Sequence, residues 1–144
     1  MSYQAHKALA GIDLFAGLPN ATLSDLIQRG TTFTTGPGRQ VVEEGSSDVG
    51  LAVVLEGTAD VVVNGVPRAS LAPGDYFGEI SLIDGLPRSA TIVSGPDGLT
   101  TFRLSALAFA PLMDNPQVSR SLLRALCARL RDVETQSASE GTDS

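Results

Sequence analysis

The sequence predicts a mainly β domain: an antiparallel β jelly-roll barrel, entered through an N-terminal helical segment and followed by C-terminal helices. Three observations carry this. Between Thr31 and Leu104 the β-branched and apolar residues come in short runs separated by Gly, Pro, Asn and Asp, the spacing of an antiparallel barrel or jelly roll. Asn64–Gly65 lies between two such runs and is a strong type I′ hairpin signal. On both sides of this region the apolar residues recur at the three-to-four spacing of amphipathic helices instead.

Taken in order, residues 12–30 read as a helical lead-in. Pro19–Asn20 interrupts the chain, and Asn20 can cap a helix that sets Leu23, Leu26 and Ile27 on one face. Gly30 stands where a terminating glycine belongs. The expected strands are TTFTT, RQVVEE, GLAVVLE, TADVVVN, VPRASL, a stretch near Tyr76, SATIVS and LTTFRL. Val61 and Val63 alternate with Asp60 and Val62, the period of a half-buried strand. After Leu104, Ser105 can cap a short helix through Leu107 and Phe109, which Pro111 must bend or restart. Asn115–Pro116 reads as an N-cap followed by proline at the first helical position. Val118, Leu122, Leu126, Leu130 and Val133 then recur at spacings of four and three, giving an amphipathic helix of about five turns. Cys127 within it reads as a small buried apolar residue. The expected organisation is an N-terminal extension at 1–11, one domain at 12–134 and a disordered tail at 135–144, where TQSASEGTDS is small and polar.

Composition narrows the chemistry. The 144 residues suit one domain, and no apolar run approaches the roughly 18 residues of a membrane span. The N-terminus lacks a signal-type apolar core, and the single cysteine cannot form an internal disulfide; together these lead us to expect a cytoplasmic protein without membrane contact. A net charge of −6 argues against a broad basic face for nucleic acid. One histidine, His6, and one cysteine are too few for a usual zinc or histidine-rich metal site. The only lysine is Lys7 and no phosphate-binding P-loop is present. No metal, no cofactor and no catalysis are therefore expected.

One stretch breaks the strand pattern: PGDYFGEISLIDGLPRSAT, from Pro73 to Thr91. Gly78 allows the backbone to approach a ligand closely. Glu79 to Asp84 can form one or two helical turns with Ile80 and Ile83 inward, ended by Gly85 and a stiff Pro87. Amides at the start of such a turn favour an anion, and Arg88 adds a planar fork suited to two phosphate oxygens. Glu79 suits a ligand that carries a hydroxyl donor beside its phosphate.

FGEISLIDGLPRSAT resembles the phosphate-binding cassette of cyclic-nucleotide-binding domains, whose pattern is F-G-E-[LI]-[AS]-L, a short spacer, then P-R-x-A-[ST]. Such domains occur in the regulatory subunit of cAMP-dependent protein kinase, in cyclic-nucleotide-gated channels and in the bacterial catabolite activator protein. LFAGLP ahead of the first helix, Gly45, Gly57 and the PGDYFGE lead-in extend the resemblance over about residues 12–134. It implies that Arg88 binds the cyclic phosphate and that Glu79 accepts from the ribose 2′-OH. The amides of Gly78, Glu79 and Ile80 line the sugar and phosphate, and Ser89 donates to the phosphate. Ser89 leaves cGMP open beside cAMP as the ligand. No aromatic residue follows Phe109 to cap the base, so a lid would come from Leu126, Val133, Arg124 or Arg131.

What the resemblance implies is a sensor module that binds cAMP and relays binding through its last helix. That helix either pairs with a second copy or leaves the output to a protein partner in trans. The alternatives are a module of the same fold that works through protein contacts without a cyclic nucleotide, and the sensor part of a longer transcription regulator. No DNA-reading helix-turn-helix follows the last helix, so direct nucleic-acid contact is not expected.

Overall fold

The computed structural model describes residues 7–12, 15, 18–45, 50–78 and 90–142, with residues 125, 129 and 132–142 described by backbone alone. Helix α1 (Asn20–Arg29) leads into β1 (Thr31–Thr35), β2 (Gln40–Val42), β3 (Gly50–Val63), β4 (Val66–Leu71), β5 (Tyr76–Phe77) and β6 (Thr91–Ser105). Helix α2 (Ala106–Phe109), a 3₁₀ turn (Ala110–Asp114) and helix α3 (Pro116–Thr142) follow. All pairings are antiparallel. The expected fold class is what the structure has.

Two long strands organise the sheet. The first half of β3 runs between β5 and the second half of β6, which also pairs with β1. The second half of β3 runs between β4 and the first half of β6, which also pairs with β2. Val42, Ile92, Ala59 and Leu71 from one half form a single buried cluster with Ala52, Val54 and Phe77 from the other. The continuous sheet is thus folded over on itself around an inner apolar space. Its opposite face, through Leu51, Val53, Phe102 and Leu104, packs on Leu23, Leu26, Phe109, Leu112, Val118 and Leu122 of the helices. Leu9, from the stretch read as an extension, is fully buried in this helical core.

The structure corrects several expected boundaries. GLAVVLE and TADVVVN are one strand, and SATIVS and LTTFRL are one strand, because the glycines between them bend the ladder without breaking it. Register shifts fall between Val54 and Glu56 and between Gly57 and Ala59. They change the inward positions from Ala52 and Val54 to Ala59 and Val61, as an inserted residue must when side chains alternate. Ser94, buried beside this bend, accepts from the Arg39 amide at 2.8 Å and donates to the Gly36 carbonyl.

Asn20 is the first helical residue, not the cap; Pro19 precedes it and no side chain caps the helix. Gly30 ends α1 with an extended backbone at φ −97°, so it is not a left-handed terminator. A β-carbon there would overlap the Phe102 ring; its role is to let that ring pack. Ser105 accepts from the Ala108 amide at 3.2 Å and Asn115 from the Gln117 amide at 2.9 Å, both as capping residues.

Helix α3 extends to Thr142, across the stretch whose composition predicts disorder. Once a helix is nucleated, each further residue adds a hydrogen bond, and this stretch has no breaker before Gly141. Among the described side chains, burial of its apolar stripe falls off after the first turns. Val118 and Leu122 are buried, whereas Leu123 and Leu130 are each 62% exposed and Cys127 is exposed rather than buried. Among the described residues no helix is long and apolar enough to cross a membrane.

Candidate functional site

Pro73–Gly74–Asp75 starts the site by fixing the turn between β4 and β5. Asp75 Oδ2 accepts from the Ala72 amide at 2.9 Å, closing the turn on itself. The Val54 amide donates to the Asp75 carbonyl at 2.8 Å and the Gly74 amide to the Val54 carbonyl at 2.9 Å. This clamps the turn to β3 and delivers Tyr76 opposite Val53 and Phe77 opposite Ala52. Side chains alternate across a strand, so Tyr76 packs on the helical core while Phe77 joins the inner cluster. Gly78 follows half-buried at φ +94°, a left-handed conformation that a side chain would strain.

Glu79, Ile80, Arg88 and Ser89 lie outside the described residues, as does the rest of the segment 79–89. The two ends of that segment are described. It leaves from Phe77–Gly78 and returns at Thr91, which pairs with Val62 on the other half of the sheet. Thr91 Oγ1 accepts from the Glu44 amide at 3.0 Å, and Glu44 Oε1 accepts from the Asn64 amide at 2.9 Å. The return point is thereby tied to the hairpin turn and to the loop after β2. Nothing in the sequence marks Glu44 for this; a Glu-Glu pair ordinarily belongs to a solvated turn.

At the departing end the inner face opens into a cavity of about 280 Å³, lined by Phe33, Val42, Ala52, Phe77 and Arg103 among others. The pairing places Thr31, Arg103, Ala52 and Phe77 in one row across four strands, on one face. Arg103 is the cation of that row. Its guanidinium lies 4.7 Å from the centroid of the Phe33 ring, and its Nε donates to the buried Thr101 Oγ1 at 3.3 Å. Sequence reading passed over Arg103, although the alternation Thr101–Phe102–Arg103–Leu104 marks it as opposite to the helix-facing Phe102 and Leu104. A cavity with apolar side chains on part of its lining and the guanidinium groups of Arg29 and Arg103 on another part suits a ligand with a flat apolar part and an anionic part.

Arg124, weighed from the sequence as a lid over a base, does not face this space. It lines a groove with Tyr76 and Arg120 on the helix-packed side of the sheet. Leu126 is half-buried and Arg131 exposed, and the Val133 side chain lies outside the described residues. Among the described residues no cluster of His, Cys, Asp and Glu could hold a metal ion.

Known proteins share this fold. Residues 34–115 match the family model described as "Cyclic nucleotide-binding domain", a span that covers β2 to β6 and the segment 79–89. Over 87 residues the chain is 34% identical to the cAMP-dependent protein kinase regulatory subunit of Eremothecium gossypii, covering 60% of this chain and 19% of that one. The crystal structure of a cyclic nucleotide-binding domain from Methylobacillus flagellatus superposes with a TM-score of 0.76 at 26% identity, covering 94% of this chain and 81% of that one. The catabolite activator protein of Thermus thermophilus shares the fold, with a TM-score of 0.76 at 24% identity over 90% of this chain and 63% of that one. With a continuous sheet folded around an apolar space and a family match across more than half its length, this chain belongs to the cyclic nucleotide-binding domain family.

Proposed function

We propose that this domain binds a cyclic nucleoside monophosphate, cAMP in the first place, in the inner cavity and under the segment 79–89. The observation that carries the reading is that a segment with the sequence GEISLIDGLPRSA is flanked at both ends by the inner apolar cluster, by Phe77 before it and, one residue past Thr91, by Ile92 after it. In this reading Arg88 takes the cyclic phosphate as a two-pronged charge-assisted donor. Glu79 accepts from the ribose 2′-OH, the amides of Gly78, Glu79 and Ile80 line the sugar and phosphate, and Ser89 adds a donor. The domain acts as a sensor without catalysis of its own, and its output passes to a partner. Calorimetric titration with cAMP and cGMP is the direct test: saturable binding of cAMP is expected, and binding of neither nucleotide would refute the reading.

Glu79 supplies a second, sharper measurement. A carboxylate whose hydroxyl partner is removed stays desolvated without its hydrogen bond, at a cost of about 1–3 kcal/mol. 2′-Deoxy-cAMP is therefore expected to bind at least fivefold more weakly than cAMP. Equal affinities would take Glu79 out of the site.

Relay to the last helix is part of the proposal. Tyr76, one residue ahead of Phe77, packs on the helical core that contains Phe109, Leu112, Val118 and Leu122. A ligand that draws segment 79–89 inward would shift the strand leading into it and so the packing under α3. A shift of this kind requires that the ligand bind one arrangement better than the other. Pro111, in the first residues of the 3₁₀ turn, and Pro116, at the start of α3, mark the hinge. Saturating cAMP is expected to change amide exchange in residues 78–91 and also in residues 111–134. A change confined to 78–91 would make the domain a binder without a relay.

A further inference from the structure

We infer that the face of α3 turned toward the β4–β5 turn is a docking groove for an acidic peptide segment of a protein partner. The inference is independent of the cyclic nucleotide reading. The groove has a volume of about 940 Å³, and Gln117, Arg120 and Arg124 form one wall, with Gly74, Asp75 and Tyr76 opposite. Its α3 wall runs from Pro116 to Ala128, about 18 Å at 1.5 Å per residue. That length accommodates about five residues of extended peptide at 3.3 Å each, and is long for a compact small molecule.

Charge selects the occupant. The chain as a whole carries −6, yet this wall is positive. Arg120 and Arg124 lie one helical turn apart, both are exposed, and neither forms a salt bridge among the described residues. The acid opposite them, Asp75, is turned to the Ala72 amide within its own turn. Guanidinium groups at this spacing present two forks to carboxylates on alternate residues of an extended chain. Tyr76, half-buried in the opposite wall, supplies apolar surface for a side chain between them. Leu123, the neighbour of Arg124 in sequence, is exposed on the same helix but does not line the groove. An acidic segment with an interspersed leucine therefore matches the groove in charge and length, with Tyr76 as its apolar contact.

The test is fluorescence anisotropy of the full chain with a labelled octapeptide of alternating Glu and Leu, beside an octapeptide with Gln in place of Glu. Saturable binding of the acidic peptide is expected, weakened at least tenfold by the double substitution Arg120→Glu, Arg124→Glu. The exposed cation on β4 serves as the control, and Arg68→Glu is expected to change affinity less than twofold. Thermal melts of each variant establish that the fold is retained. Equal binding of the Glu and Gln peptides, or equal losses with Arg68→Glu, would overturn the inference. So would equal affinity for anionic vesicles or for single-stranded DNA of the same charge, which would make the patch a general polyanion surface.

Discussion

Replacing Arg88 with leucine is expected to weaken cAMP binding at least tenfold, equivalent to about 1.4 kcal/mol. A charge-assisted hydrogen bond is worth about 1.5–3 kcal/mol, and a guanidinium makes two of them in parallel to one phosphate. Truncation also leaves the cyclic phosphate in a partly apolar space without its counter-charge, so the loss is expected to exceed that of any other single side chain in the segment. Arg88→Lys keeps the charge and gives up the fork, so its affinity should fall between wild type and Arg88→Leu. Isothermal titration of the three proteins, with thermal melts to establish folding, decides the matter. Full-strength binding by Arg88→Leu would mean that the phosphate is held elsewhere, and Arg103 at the cavity rim would be the next group to substitute.

The largest effect on stability is expected from Gly57→Ala. Gly57 has φ +78°, and a β-carbon there would run into the Gly98 carbonyl, with its carbon at 2.9 Å and the Leu99 Cα at 3.2 Å. These are backbone atoms of the neighbouring strand and cannot swing aside. A left-handed conformation alone costs a residue with a β-carbon about 1–2 kcal/mol; displacing the crossing of β3 and β6 adds to it, for a total of about 2–4 kcal/mol. Gly65, in the hairpin turn, has φ +77° and nothing within 4 Å of a β-carbon, so Gly65→Ala should cost only the conformational part, about 1–2 kcal/mol. Urea unfolding of both variants measures the difference. Equal losses would show that the crossing at Gly57 yields freely.

The hairpin and the helix caps could be read from the chain because their chemistry is local. Asn64 and Gly65 both adopt positive φ, as a type I′ turn requires and as few other residue pairs allow. Ser105 and Asn115 each carry a side-chain acceptor short enough to reach an amide two or three residues on. Family membership was legible for a similar reason: the residues that carry the resemblance, FGEISLIDGLPRSAT, stand together in one short stretch of sequence.

What the chain could not disclose depended on residues far away along it. Whether Gly57 ends a strand or bends it is decided by the Gly98 carbonyl on the neighbouring strand, which lies where a side chain on Gly57 would stand. Gly30 looks like a helix terminator until the Phe102 ring is seen to occupy the space above it. Glu44 reads as surface charge, yet its carboxylate accepts from the Asn64 amide and its own amide meets Thr91. The apolar stripe of α3 is uniform in sequence, but among its described side chains Val118 and Leu122 are buried in the core and Leu130 stays exposed. Backbone conformation at a turn or a cap is set by neighbours a few residues away. Burial, close approach and the inward direction of Arg103 are relations between segments joined only by folding.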